Sequence, residues 1–158
     1  MSRPIMLRDA QPEDATVLSE LAMRSKASWG YSDEFMKACR EELTITPEKL
    51  HSSVFHFVVA EISSAIAGFY GVERLSNSQF ELEALFVDPI HMGSGIGRTL
   101  ITHAKHHIAA CGGTTLMIQG DPNAAGFYRA VGAQPIGDRE SASIPGRLLP
   151  VFSLEITN

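Results

Sequence analysis

The most constraining feature of this chain is an apolar strand that runs through alternating glycines into an amphipathic helix. Leu85, Phe86 and Val87 end the strand at Asp88-Pro89, and Gly93-Ser94-Gly95-Ile96-Gly97 follow within a few residues. From Ile96 to Cys111 the apolar positions Leu100, Ile101, Ala104, Ile108 and Cys111 share one helical face. Glycines let successive backbone N–H groups converge on one point without side-chain obstruction. The positive end of the helix dipole adds to them, so the turn is built to hold a phosphate or pyrophosphate. Arg98, just inside the helix, adds a charge-assisted contact.

Two common phosphate loops fit poorly. A P-loop needs GxxxxGK[ST], whereas Gly93 and Gly97 are separated by only three residues and Arg98 stands where the lysine belongs. A dinucleotide fold needs GxGxxG after the first strand of a βαβ unit. Here the glycines follow a series of strands. Val54–Ile62 and Ala65–Leu75 are rich in apolar and aromatic residues, and Ser63-Ser64 between them predicts a hairpin turn. A third strand covers Gln79–Val87. Strict alternation would put Phe80, Leu82, Ala84 and Phe86 on one of its faces and Glu81 and Glu83 on the other.

The remaining segments complete one pattern. Ile5–Arg8 is a short strand, and Pro12-Glu13-Asp14 opens a helix whose Leu18, Leu21, Ala22 and Ser25 form a buried stripe. Ser32 caps a second helix reaching about Leu43. After Gly112-Gly113 come a strand at Thr114–Gln119, a short helix at Pro122–Val131, and strands near Gln134–Gly137 and Leu149–Ile156. The order predicts a single α+β domain over 1–158, with a mostly antiparallel sheet of about seven strands flanked by about four helices.

Net charge is −5 and the pI about 5.6, which favours neither nucleic acid nor an anionic membrane as partner. Cys39 and Cys111 are far apart and read as free thiols of a cytoplasmic protein. The stretch from Met1 to Asp9 lacks the apolar run of a signal peptide. His103, His106 and His107 read as a solvated helix face, and no metal or metal ligand is expected.

With these residues in view, Leu85–Leu100 resembles the acyl-CoA loop of the GNAT superfamily of N-acetyltransferases, whose pattern is Gln/Arg-x-x-Gly-x-Gly/Ala. Met92 replaces the leading polar residue. A second segment, Asp121–Ala133, resembles the family's N-x-x-A-x-x-F-Y-x-x-x-G-F stretch through Ala124, Phe127, Tyr128 and Gly132. Asp121 occupies the family's asparagine position, with Asn123 two residues on.

The resemblance implies an acetyl-CoA-dependent transferase acting on a primary amine of a small-molecule or peptide acceptor, by direct transfer in a ternary complex. Met92, Gly93, Ser94, Gly95, Ile96, Gly97 and Arg98 would hold the pyrophosphate. Phe86 and Val87 would hydrogen-bond the pantetheine through main-chain amides, beside Asn123, Phe127 and Tyr128. Tyr128 would be the general acid for the thiolate, and Leu85 or Phe86 N–H the oxyanion donor. Glu81 is expected as the general base, with Glu83 second and a water chain the other route. Trp29 and Tyr31 are expected to wall the acceptor pocket, with anchoring of that corner as the alternative; Arg147 is expected to bind an acceptor carboxylate or to lie on the surface. Family members are often homodimers. The alternative function is a non-catalytic acyl-CoA sensor.

Overall fold

Ser63 and Ser64 have φ of 52° and 68°, the left-handed pair that a tight hairpin requires. They join β2 (Phe55–Ile62) to β3 (Ala65–Arg74), as their position between two apolar runs predicts. In the computed structural model, which describes residues 3–157, this hairpin forms the second and third strands of a seven-stranded sheet. The other strands are β1 (Met6–Asp9), β4 (Gln79–Val87), β5 (Thr115–Gln119), β6 (Gln134–Glu140) and β7 (Leu148–Glu155). Their order is β1-β2-β3-β4-β5-β7-β6. All neighbours are antiparallel except β4 and β5, which the helix α4 (Ile96–Ala110) connects as a crossover. Met1, Ser2 and Asn158 lie outside the described residues, so the start of the N-terminal stretch read above does too.

Two apolar layers cover the sheet. On one face Leu100, Ile101, Ala104 and Ile108 of α4 pack with Val58, Ala60, Leu116 and Phe152. On the other, α1 (Ala15–Ala27) and α2 (Asp33–Leu43) bring Leu18, Leu21, Met36 and Cys39 against Phe57, Val59 and Phe69. Each fully buried Leu or Ile contributes about 1.5–3 kcal/mol, so the alternation in β2 is what ties both helix layers to one sheet. The helical stripe expected at Leu18, Leu21, Ala22 and Ser25 is buried at every position.

Several boundaries differ from the sequence expectation. Pro12–Asp14 forms a separate 3-10 turn because Asp14 reaches back to Arg8 at 2.9 Å and to Gln11 N at 2.7 Å. Pro122–Ala124 likewise forms a 3-10 turn ahead of α5 (Ala125–Ala130). A further helix, α3 (Pro47–His51), was not anticipated. Its signal was present: the Thr46 side chain accepts from Lys49 N at 3.1 Å, and proline occupies the first turn.

The alternation expected along β4 fails halfway. Val72 pairs with Leu82 but its neighbour Gly71 pairs with Ala84, so Glu83 is an extra residue in a β-bulge. Phe80 and Leu82 therefore pack with the α4 layer, whereas Ala84 and Phe86 pack with the α1–α2 layer. The four residues do not share a face. The solvated reading of the histidines also fails for two of three: His103 bonds Tyr70 Oη at 2.8 Å, and His107 stacks on His56 at 3.7 Å between ring centroids. Only His106 is exposed.

Candidate active site

β4 pairs with β5 only from Gln79 to Leu82. Beyond the bulge the two strands part, and residues 83–87 of β4 border a cavity of about 540 Å³. The cavity continues along Met92, Gly93 and Gly95–Arg98 at the start of α4 and returns past Gln119–Asp121 to Phe127 and Tyr128. The predicted anion loop, open strand edge and tyrosine thus face one space.

The loop is shaped for an anion. Gly93 and Gly95 have φ of 80° and 88°, a conformation that side-chain-bearing residues rarely adopt, and a Cβ at either would meet nothing within 4 Å. Ser94 N donates to His91 O, and Ser94 Oγ also bonds that carbonyl. Among the described residues no acceptor takes the N–H groups of Gly93, Gly95, Ile96, Gly97 or Arg98. Five main-chain donors within six residues, without intramolecular partners and next to a helix N-terminus, are a cradle for a diphosphate. The donor set fits the diphosphate of an acyl-CoA. Met92 is 43% exposed and lends no charge there.

Tyr128 closes the cavity at the other side. Its ring lies edge-on to Phe127 and against Phe152, and the residue is only 6% exposed. A Cβ on Gly120 would come within 2.8 Å of the ring, so the tyrosine sits where it does because residue 120 has no side chain. No side-chain polar atom among the described residues is both sealed from solvent and unpartnered, and Tyr128 makes no hydrogen bond there, so its hydroxyl opens to the cavity. Burial first, and then the charge of Asp121, push its pKa above the ordinary tyrosine value. It stays protonated at neutral pH and can donate.

The two glutamates separate. Glu83 lies on the cavity wall, with Lys49 Nζ of α3 at 2.6 Å from its carboxylate. Glu81, expected to lead, is not on that wall and instead pairs with Arg139 of β6 at 3.3 Å. The bulge displaces the strand between them, which no alternation count can reveal.

Of the acceptor-side residues, Trp29 lines the cavity and is 44% exposed. Tyr31 and Arg147 are tied to each other instead. Arg147 donates to Tyr31 Oη at 2.7 Å, and Tyr31 donates to Asp121 at 2.8 Å while stacking on Phe35. Neither is on the cavity wall. Sequence reasoning missed Lys26, whose Nζ lies 2.9 Å from Asp121, and Glu42, which faces the cavity and bonds Ser143 Oγ of the β6–β7 loop. Nothing local marks either residue, because each partner is about a hundred positions away. No group of three or more potential metal ligands occurs among the described residues, and no helix there is long and apolar enough to cross a membrane.

Comparison with known proteins gives one consistent picture. The chain is 34% identical over 88 residues to the N-alpha-acetyltransferase RimI of Mycobacterium tuberculosis, covering 53% of this chain and 55% of that protein. It is 36% identical over 73 residues to the peptidyl-lysine N-acetyltransferase YjaB of Salmonella typhimurium, covering 46% and 48%. It therefore spans about half the length of these curated relatives. In fold it is similar to the PaiA N-acetyltransferase of Thermoplasma acidophilum, solved with coenzyme A, at a TM-score of 0.79, 22% identity and coverage of 98% and 99%. The family model for the acetyltransferase (GNAT) domain matches residues 11–143, most of the sequence, and the chain belongs to that family.

Proposed function

We propose that this chain binds acetyl-CoA and transfers its acetyl group directly to a primary amine. The observation that carries the reading is the row of five unpartnered amides from Gly93 to Arg98, opening onto the same cavity as the free edge of β4 and the Tyr128 hydroxyl. Residue by residue, Gly93–Arg98 hold the diphosphate, while Phe86, Val87, Asn123 and Phe127 line the path of the pantetheine arm. Acetyl-CoA supplies an acetyl group already activated as a thioester.

The protein residues handle charge and protons. Leu85 or Phe86 N–H, at the edge that β5 leaves unpaired, stabilises the carbonyl oxygen as it becomes anionic. Glu83, directly or through water, takes the proton from the incoming ammonium. A C–N bond forms, the C–S bond breaks as the nitrogen gives up its second proton to solvent, and Tyr128 Oη protonates the departing sulfur before recovering its own proton from solvent. Neither Cys39, on the buried face of α2, nor Cys111, beyond the end of α4, lies on the cavity wall, which supports direct transfer over a covalent acetyl-enzyme.

The names of the curated relatives point to a peptide amine as acceptor, with a small-molecule amine as the alternative. The test is release of coenzyme A thiol with acetyl-CoA and three probes: an alanine-terminated peptide, a lysine-containing peptide and a linear diamine. Turnover with any of them supports transfer. Acetyl-CoA binding without turnover on any amine would favour the sensor reading.

A further inference from the structure

Asp121 stands where the family resemblance leads one to expect asparagine, and its charge has a specific partner. Lys26 Nζ of α1 lies 2.9 Å from Oδ2, and the two side chains are only 15% and 13% exposed. Tyr31 Oη, in the link between α1 and α2, donates to the same carboxylate. It accepts in turn from Arg147 at 2.7 Å and from Asn123 Nδ2 at 2.9 Å. Arg147 itself lies 3.7 Å from Asp121. Three stretches distant in sequence meet on one carboxylate: α1 with the link that follows it, the turn before α5, and the β6–β7 loop. Burial would raise the Asp121 pKa, but the bonds from Lys26, Asn123 N and Tyr31 outweigh it and hold the carboxyl below its ordinary value.

The meeting point joins the two halves of the cavity. Ser25, Lys26 and Trp29 wall its α1 side. Asp121 caps the 3-10 turn that leads directly into α5, accepting from Asn123 N at 2.8 Å, and α5 carries Tyr128. A Cβ on its neighbour Gly120 would fall 2.8 Å from the Tyr128 ring, so the backbone there runs close beside that ring. A shift of residue 121 is therefore a shift of the surface on which Tyr128 rests. An asparagine could still cap the turn, but would give Lys26 only a neutral oxygen and leave a mostly buried ammonium uncompensated.

We propose that Asp121 is a positioning residue whose ion pair with Lys26 latches the α1 corner to the turn bearing Tyr128, fixing the acceptor relative to the proton donor. The proposal rests on the acetyl-transfer reading above. Trp29, the only tryptophan of the chain and three residues beyond Lys26, is a built-in reporter of that corner.

The experiment compares wild type with Lys26→Met, Asp121→Asn and the double variant. Trp29 fluorescence quenching by acrylamide reads the corner without an acceptor; calorimetry reads acetyl-CoA affinity; thiol release is measured with the same two peptides and diamine. In Lys26→Met, quenching should rise about twofold and turnover fall about tenfold or more, with the acetyl-CoA Kd within about twofold of wild type. The double variant should be no worse than the poorer single, since both remove one pair. Wild-type quenching and turnover in a folded Lys26→Met, or additive losses in the double variant, would overturn the latch. Should Asp121→Asn fail to fold, Lys26→Met decides alone. If no probe is turned over, quenching decides: a Trp29 unchanged by Lys26→Met overturns the proposal. Wild type that does not bind acetyl-CoA refutes the transfer reading itself, which separates the two failures.

Discussion

Lys49 Nζ sits 2.6 Å from the carboxylate of Glu83, and that contact places the extra residue of the β4 bulge on the cavity wall. The bulge does two things. It ends the partnership of β4 with β5 after Leu82, and it puts Glu83 rather than Glu81 on the cavity wall. Lys49 and Glu83 form one ion pair beside that cavity. Being partly exposed, the pair contributes little to stability, about 0–1 kcal/mol, so its removal tests chemistry more than folding.

Glu83→Gln should lower kcat about 10–100-fold with an unchanged melting temperature, because general-base assistance is typically worth ~10²–10⁴ and water can replace part of it. Glu81→Gln should change kcat less than about threefold. Steady-state kinetics on both variants checks the assignment. Equal effects, or a larger one at Glu81, would return the role to the other strand position.

Tyr128→Phe retains the ring that packs on Phe127 and Phe152 and deletes only the hydroxyl facing the cavity. Turnover should fall about 10–100-fold while acetyl-CoA affinity stays within about twofold. Single-turnover rates beside a calorimetric titration separate the two. Unchanged turnover would remove Tyr128 from the proton path.

Gly95 holds φ of 88° at the entry to α4. Valine there is strained whatever the space around it, so the loop must rearrange and its amides lose their common aim. Gly95→Val should weaken acetyl-CoA binding at least about thirtyfold, roughly the loss of two good hydrogen bonds. Wild-type affinity in this variant would place the diphosphate elsewhere.

On the opposite face, His107 stacks on His56, with His103 and Cys111 also close by and Asp9 3.7 Å from His56. Burial, then the neighbouring histidines, lower the His107 pKa to about 4. Between its unfolded value near 6.5 and about 4, the unfolded chain binds the proton that the folded chain refuses. The stability contributed by neutral His107 is complete above about pH 6.5 and is lost progressively as pH falls towards 4. Discounted for its partial exposure, the loss is about 1–2 kcal/mol. Urea titrations at pH 7 and pH 4.5 should show a larger drop in wild type than in His107→Gln. Equal drops would show that the stack does not titrate.

The sequence made legible what depends on local pattern. Positive φ at Gly93 and Gly95, the hairpin at Ser63-Ser64 and the buried stripe of α1 all follow from residue type and spacing over a few positions. Tyr128 stands out because two motifs occur in a fixed order, and it lines the cavity. The bulge was hidden because register belongs to a pair of strands, and nothing within Gln79–Val87 reveals which β3 residue faces two partners. Arg147 and Tyr31 were expected at the acceptor and instead bond each other. A partner 116 residues away cannot be read from either neighbourhood. Lys26 was missed for the same reason: its meaning lies entirely in Asp121, 95 residues on.

In the proposed mechanism the amides from Gly93 to Arg98 grip the diphosphate of an acyl-CoA. Backbone amide shifts of the labelled protein, recorded during titration with acetyl-CoA and separately with ATP and NAD, test it most directly. The account predicts saturable shifts at Gly93, Gly95, Ile96, Gly97 and Arg98, together with Phe86 and Val87, for acetyl-CoA alone. Saturation of those amides by ATP or NAD while acetyl-CoA leaves them unmoved would contradict it.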